Sequence, residues 1–214
     1  MTLLLRVIGL LLMRITRVRY TTTASSKLNS LGKPIHSTDQ GIKNFWRWFG
    51  KSVLTDGKGR PLVLYHGTDA DFHEFIATKV GQKDSGFFGS GYYLTADQEL
   101  ADAYGQYNTE IGWNTMIVYA KLLKPYIWNV NHSALDKTES ESESFTAKLR
   151  SEGYDGVIFH MPYKAQSEGG WGRAIAYMEV VVFEPNQIKS AIGNCGAFNV
   201  NNNKLTANDN KDYL

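Results

Sequence analysis

The sequence predicts an α+β domain with many short strands and few helices. Runs of β-branched, aliphatic and aromatic residues alternate with Gly, Pro and polar residues, a pattern typical of strands. Only three segments carry the periodicity or the cap of a helix, and no internal repeat is visible. A hydrophobic content of 43% with 13% aromatic residues is ample for a packed core.

Length and composition exclude several classes of protein. The 214 residues fit one domain with extensions better than two domains. A net charge of +2, without a basic cluster beyond the first twenty residues, gives no sign of a nucleic-acid-binding surface. The single cysteine, Cys195, rules out an internal disulfide framework and a cysteine-rich metal site.

Both ends of the chain differ in character from the centre. Residues 3–13 are apolar but contain Arg6 and are far shorter than the roughly 20 residues of a membrane span. We expect translation to begin at Met13 and the protein to be cytoplasmic, in a bacterium or in host cytosol, with export as the alternative. Residues 1–38 are interpreted as an N-terminal arm that is flexible or lies on the surface, or as a partly misassigned start. Residues 39–198 are interpreted as the domain, and residues 199–214 as a polar, disordered tail.

Three helices are expected. Ser-Thr-Asp at residues 37–39 offers a cap for the first, whose apolar residues fall at i, i+3, i+4 and i+7: Ile42, Phe45, Trp46 and Phe49. Residues 95–98 match a capping box at the start of the second helix. The third helix covers residues 138–151 and stops at Gly153.

Strands are expected in the sequence segments outside these helices. Residues 53–55 and 61–65 form a hairpin around an Asp-Gly-Lys-Gly turn. Further strands are expected at residues 92–95, 115–123, 125–130, 157–159, 177–183 and 187–192. Glycine-rich loops at residues 78–90 and 164–173 should be the least ordered internal segments.

Two features suggest chemistry. The apolar strand at residues 62–64 ends in Tyr-His-Gly-Thr at residues 65–68, where glycine lets another group approach the backbone closely. Glu179 lies within an otherwise apolar strand, and alternation puts it on the same face as Val181 and Phe183. A carboxylate there is either a functional group or the solvent-exposed end of an edge strand, and the pattern leaves both open.

These stretches together resemble the ADP-ribosyltransferases of the diphtheria-toxin and poly-ADP-ribose polymerase class. The matching segments are residues 65–68, Gly-Tyr-Tyr-Leu-Thr-Ala-Asp at residues 91–97, and Tyr-Met-Glu-Val-Val-Val-Phe at residues 177–183. Tyr104 follows Tyr93 at the spacing of the family's second tyrosine. The sequence is most similar to ADP-ribosyltransferase-like domains of phage and prophage polyproteins, over residues 42–198.

The resemblance implies a split β-sheet core and a mono-ADP-ribosyltransferase that uses NAD as its substrate. It implies catalytic roles for Glu179, His66 and Tyr93. His66, Gly67, Thr68, Tyr93 and Tyr104 would bind NAD, with His66 on the adenosine ribose and Gly67 on the carboxamide. Tyr93 and Tyr104 would stack on the nicotinamide ring. We expect these residues to line one cleft, and Tyr92 to belong to the core. One departure is Ala101, which stands where the polymerases carry a serine.

No metal is implied, because His73, His132 and His160 are isolated from one another in sequence. An NAD glycohydrolase and a non-catalytic module that binds NAD, ADP-ribose or a partner protein are the alternatives. We expect a monomer without a membrane span. The acceptor, a protein, a nucleic acid or a small molecule, is left open by the sequence.

Overall fold

The computed structural model describes residues 26–76, 86–107, 112–128, 138–160 and 178–206. Within them, three helices accompany a seven-stranded mixed sheet, which confirms the predicted α+β class. The helices are α1 (Asp39–Phe49), α2 (Gln98–Tyr107) and α3 (Glu139–Ser151). The strands are β1 (Leu64–Thr68), β2 (Tyr92–Thr95), β3 (Asn114–Ala120), β4 (Tyr126–Trp128), β5 (Gly156–His160), β6 (Met178–Val182) and β7 (Ile188–Ser190).

The sheet has the order β4-β5-β6-β2-β1-β3-β7, and only the β4–β5 pair is parallel. All five residues of β1 pair with β3, and all four residues of β2 pair with β6. Between β1 and β2 the only pair is Tyr65 with Thr95. The sheet is therefore split into two halves, β4-β5-β6-β2 and β1-β3-β7, as the family resemblance implied.

Strand β6 serves two separate cores because successive side chains point to opposite faces. Val180 and Val182 join the main core, together with residues of α1, β1 and β3. Val181 and the following Phe183 join a smaller core with Leu149 of α3. The face that carries Glu179 is thus the face of the smaller core.

Helix α1 buries an aromatic face that differs from the predicted one. Thr38 caps the helix by accepting a hydrogen bond from the Gly41 amide, as expected. Phe45, Trp48 and Phe49 are fully buried, whereas Trp46 is only half-buried and donates its indole N–H to Ser26. The buried face is rotated toward Trp48 because that ring packs over Phe198.

The other two helices also begin with side-chain caps. Thr138 and Glu141 form a capping box at the start of α3, and Gly153 follows its end with a φ of +80°. The predicted capping box of α2 is wrong. Its first amides at Glu99 and Leu100 are capped by Asp97, while Thr95 belongs to β2.

The N-terminal boundary needs a correction, since part of the predicted arm is packed on the domain. Ile35 lies in the main core, and the buried Asn29 donates a hydrogen bond to the Tyr119 hydroxyl. Ser30 accepts from the Val63 amide through its side chain. The segment from residue 26 onward is therefore part of the fold, because it covers β3 and the approach to β1.

The C-terminal boundary needs the same correction. Residues 199–206 do not form a disordered tail, because Leu205 is 1% exposed and belongs to the main core. Its amide donates to the carbonyl of His73, and its carbonyl accepts from the amide of Ser190. A single buried leucine in an asparagine-rich stretch is too weak a sequence signal for a folded segment.

The two glycine-rich loops fall largely outside the described residues. At the described end of the first loop, the Gly86 carbonyl accepts from Ser142 of α3. The Gly89 carbonyl accepts from the Tyr93 hydroxyl, so residues 86–90 are tied to their surroundings. Where the structure describes them, the helices include none long and apolar enough to cross a membrane.

Candidate active site

The candidate site begins where β1 and β2 separate. Tyr65 is the last residue of β1 that pairs with β2, while His66, Gly67 and Thr68 continue to pair with β3 on the other edge. A strand that diverges from its neighbour leaves backbone groups without a ladder partner on that side. The motif at residues 65–68 therefore stands at the opening of the split.

His66 bridges the split with its side chain. Its Nδ1 lies 2.8 Å from the backbone oxygen of Tyr93 in β2. A carbonyl oxygen can only accept, so Nδ1 carries the proton and donates. Burial lowers the pKa of His66 below its usual value, and the bond to Tyr93 opposes this shift only in part. The ring is thus neutral at pH 7, which leaves Nε2 as a hydrogen-bond acceptor.

Two phenylalanines support the His66 ring from the side. The centroid of Phe75 lies 5.1 Å from that of the imidazole, and Phe72 lies 6.2 Å away, both edge-on. Phe75 also contacts Tyr92 at 4.9 Å. The contact of these phenylalanines with His66 is a finding of the structure.

Gly67 packs directly against α2. A Cβ built at Gly67 would lie 1.8 Å from the backbone oxygen of Ala101 and 2.7 Å from the amide nitrogen of Gly105. The close approach predicted from this glycine therefore exists, and the group that approaches is a helix. The hydroxyl of Thr68, the next residue, accepts a hydrogen bond from the Ala70 amide and so stabilises the turn that follows β1.

Tyr93 is held in place by its hydroxyl. The Oη atom accepts from the Phe88 amide at 2.9 Å and donates to the Gly89 carbonyl at 2.7 Å. The ring packs against the smaller core and stays half-buried. Its neighbour Tyr92 is buried in the main core, so the two tyrosines point to opposite faces, with Tyr92 in the role expected for it.

Glu179 is a buried carboxylate. Its residue is only 7% exposed, and it pairs with Thr95 of β2 on one side and Phe159 of β5 on the other. The hydroxyl of Tyr104 donates to its Oε1 at 3.4 Å. Tyr104 itself is 41% exposed, so it stands between Glu179 and solvent. The alternative of a solvent-exposed glutamate at a strand end is wrong.

The pairing register shows which of these side chains share a face. Tyr65, Thr95 and Glu179 form one row across β1, β2 and β6 and therefore lie on one face, the face covered by α2. The side chain of His66, the residue after Tyr65, leaves β1 on the opposite face of the sheet. The structure thus brings His66 to Tyr93 and Tyr104 to Glu179, but alternation does not bring His66 and Glu179 together. That all four line one cleft stays a prediction, which would require the cleft to run through the split.

Ala101 has a packing role. It is fully buried, and its carbonyl forms the surface that Gly67 touches. A methyl group here supplies no hydroxyl to a ligand. Among the described residues, no three His, Cys, Asp or Glu side chains are grouped so that they could hold a metal ion.

Comparison with known protein families bears on this geometry. Residues 56–198, more than half of the chain, match the family model described as ADP-ribosyltransferase in polyvalent proteins. The chain belongs to this family. The match begins just before β1 and ends after β7, so it contains the whole sheet and every candidate residue named above.

The family assigns ADP-ribosyltransferase activity to the domain in general terms, and ADP-ribosyltransferases use NAD as their substrate. No curated protein sequence matches the chain.

Proposed function

We propose that the domain transfers a single ADP-ribose unit from NAD to a macromolecular acceptor with release of nicotinamide. The observation that carries the proposal is the buried Glu179, which the Tyr104 hydroxyl contacts beside the split between β1 and β2. A buried carboxylate is costly unless it meets a donor or a positive charge. In this reaction the positive charge develops on the substrate.

The chemistry consists of one bond broken and one bond formed. The bond between C1′ of the ribose and the nicotinamide nitrogen breaks, and its electron pair leaves with nicotinamide. C1′ gains oxocarbenium character, as it does in glycoside hydrolysis. The acceptor nucleophile then bonds to C1′ and loses a proton. Glu179 would stabilise the charge on the ribose and hold the incoming nucleophile or a ribose hydroxyl.

The other residues would position NAD. The acceptor nitrogen Nε2 of His66 would take a hydrogen bond from a hydroxyl of the adenosine ribose, since Nδ1 is already committed to Tyr93. Gly67 and Thr68 would present backbone groups to the carboxamide at the end of β1. The ring of Tyr93, fixed through its hydroxyl, and the ring of Tyr104 would stack on nicotinamide, which contributes about 1 kcal/mol beyond area burial.

The experiment is incubation of the protein with NAD labelled in the adenosine moiety, alone and with fractions of cell lysate. We expect nicotinamide release together with label on an acceptor whose intact mass rises by one ADP-ribose unit. The Glu179→Gln variant should show neither. Release of nicotinamide with free ADP-ribose in every fraction would instead identify a glycohydrolase. Binding of NAD without release would identify a non-catalytic module.

A further inference from the structure

A buried lysine in β7 is not used by the proposed chemistry. Lys189 in β7 is 0% exposed. Its Nζ donates to the backbone oxygen of Asn202 at 2.7 Å, to the Asn202 side-chain oxygen at 3.1 Å, and to the Lys204 carbonyl at 3.1 Å. An ammonium group has three donors, and each finds an acceptor in one short segment.

That segment, residues 202–205, is called the C-terminal strap below. It crosses from β7 to the residues that follow β1. The Leu205 carbonyl accepts a hydrogen bond from the Ser190 amide, and the Leu205 amide donates one to the His73 carbonyl at 2.9 Å. Lys204 forms a β-bridge with Glu74. The strap is therefore bonded on one side to β7 and on the other to residues 73–74.

Residues 73–74 lie between the two phenylalanines that contact His66. Phe75 stands 5.1 Å from the imidazole and Phe72 stands 6.2 Å from it. The two rings also contact each other at 4.9 Å. A continuous series of contacts thus runs from Lys189 through the strap to the aromatic wall of His66.

We propose that Lys189 and the C-terminal strap are positioning elements that hold the Phe72–Phe75 wall against His66 and so fix the orientation of its imidazole. The strap lies outside the family-matched residues 56–198. The consequence for NAD binding rests on the proposed function, whereas the consequence for the imidazole does not.

The physical reason is that one hydrogen bond does not fix a ring. The bond from Nδ1 to Tyr93 leaves rotation about that bond open, and the edge-on phenylalanines remove this freedom. They also cover part of the ring, which is half-buried. If the wall moves away, water can reach the ring, the bond to Tyr93 can exchange for one to water, and the alternative tautomer with the proton on Nε2 gains population.

The test compares Lys189→Met, which keeps the length of the side chain but removes its donors, with Lys51→Met, an exposed lysine elsewhere on the chain. Imidazole ¹⁵N shifts of His66, followed through a pH titration on samples with an intact backbone spectrum, report its tautomer and its titration. In Lys189→Met we expect a larger Nε2–H population and a midpoint moved up toward the usual histidine value. NAD affinity should fall about tenfold, which corresponds to one lost hydrogen bond. Lys51→Met should match the wild type.

Asn202→Ala serves if Lys189→Met does not fold, because it removes one acceptor of three and leaves both backbone acceptors. The same shifts, smaller in size, are expected. Unchanged His66 signals in a folded variant would overturn the proposal even if NAD binding is confirmed. Changed His66 signals in a protein that never binds NAD would support the positioning role and contradict the proposed function.

Discussion

At the scale of single residues, His66 shows how a side chain can replace a ladder bond. Where β1 and β2 part, the imidazole donates to the Tyr93 carbonyl and so satisfies a group that the sheet no longer pairs. The same bond fixes the tautomer, which sets what the other ring nitrogen offers to a ligand. The histidine that ties the sheet together is thus also the one that we propose to bind NAD.

The first prediction concerns Gly67. In Gly67→Ala the new methyl group would meet the Ala101 carbonyl, a backbone atom that cannot move without displacing α2. Overpacked sites typically lose roughly 1–3 kcal/mol of unfolding free energy, and we expect the loss here to be about 3 kcal/mol or more. Urea unfolding measures it. Gly57→Ala is the matched control, since nothing lies within 4 Å of a Cβ there. Equal stability of the two variants would contradict the packing described for β1 and α2.

The second prediction follows from the lowered pKa of His66. At a pH above about 6.5, the pKa of histidine in the unfolded chain, the ring is neutral in both the folded and the unfolded state. Its burial then does not make the unfolding free energy depend on pH. As the pH falls below that value, the unfolded ring binds a proton first, and stability drops until the pH passes the folded pKa. Unfolding in urea between about pH 5.5 and about pH 7.5 should show this slope in the wild type and lose it in His66→Gln.

The control for this slope is His160→Gln, which removes an exposed histidine from the end of β5. Its slope should match that of the wild type. A His66→Gln variant with an unaltered slope would show that the imidazole is not buried in the folded protein.

The third prediction separates the two functions of Tyr104. Tyr104→Phe keeps the ring and removes the hydroxyl that contacts Glu179, whereas Tyr104→Ala removes both. If the ring stacks on nicotinamide, Tyr104→Phe should retain NAD affinity within a few-fold and Tyr104→Ala should lose about tenfold. Titration with NAD measures both. A loss in Tyr104→Phe as large as that in Tyr104→Ala would mean that the hydroxyl, and not the ring, matters for binding.

At the scale of elements, α2 connects the two halves of the site. Its Ala101 touches Gly67 of β1, and its Tyr104 touches Glu179 of β6. The start of this helix is held by Asp97, whose carboxylate caps the amides of Glu99 and Leu100. The geometry of the site therefore depends on a helix cap that lies outside it.

The fourth prediction concerns that cap. Asp97→Ala should lower the unfolding free energy by about 1 kcal/mol, the usual effect of losing an N-cap. Gln98→Ala, one position later and exposed, removes no cap and should stay within about 0.5 kcal/mol of the wild type. Urea unfolding of the pair decides the point. If Asp97→Ala proved as stable as Gln98→Ala, the cap would lie elsewhere, as the capping box predicted at Thr95 would require.

At the scale of the whole molecule, the sequence predicted most elements because apolar periodicity and caps are local signals. The helix at residues 138–151, its stop at Gly153 and the strand that contains Glu179 are examples. What it missed depends on distant contacts. Trp48 is buried because Phe198 covers it, and Leu205 is buried because Lys189 anchors the strap beside it. The opposite faces of His66 and Glu179 follow from one strand register, which no local pattern encodes.

The central claim is that Glu179 acts on bond cleavage more than on NAD binding, because the positive charge that it meets arises mainly in the transition state. The most direct measurement pairs the NAD dissociation constant with the single-turnover rate of nicotinamide release, for the wild type and Glu179→Gln. The glutamine keeps the shape and one acceptor oxygen but not the charge. We expect the dissociation constant to change by only a few-fold and the rate to fall by about 10²–10³. A Glu179→Gln variant that releases nicotinamide at the wild-type rate while binding NAD more weakly would contradict the claim.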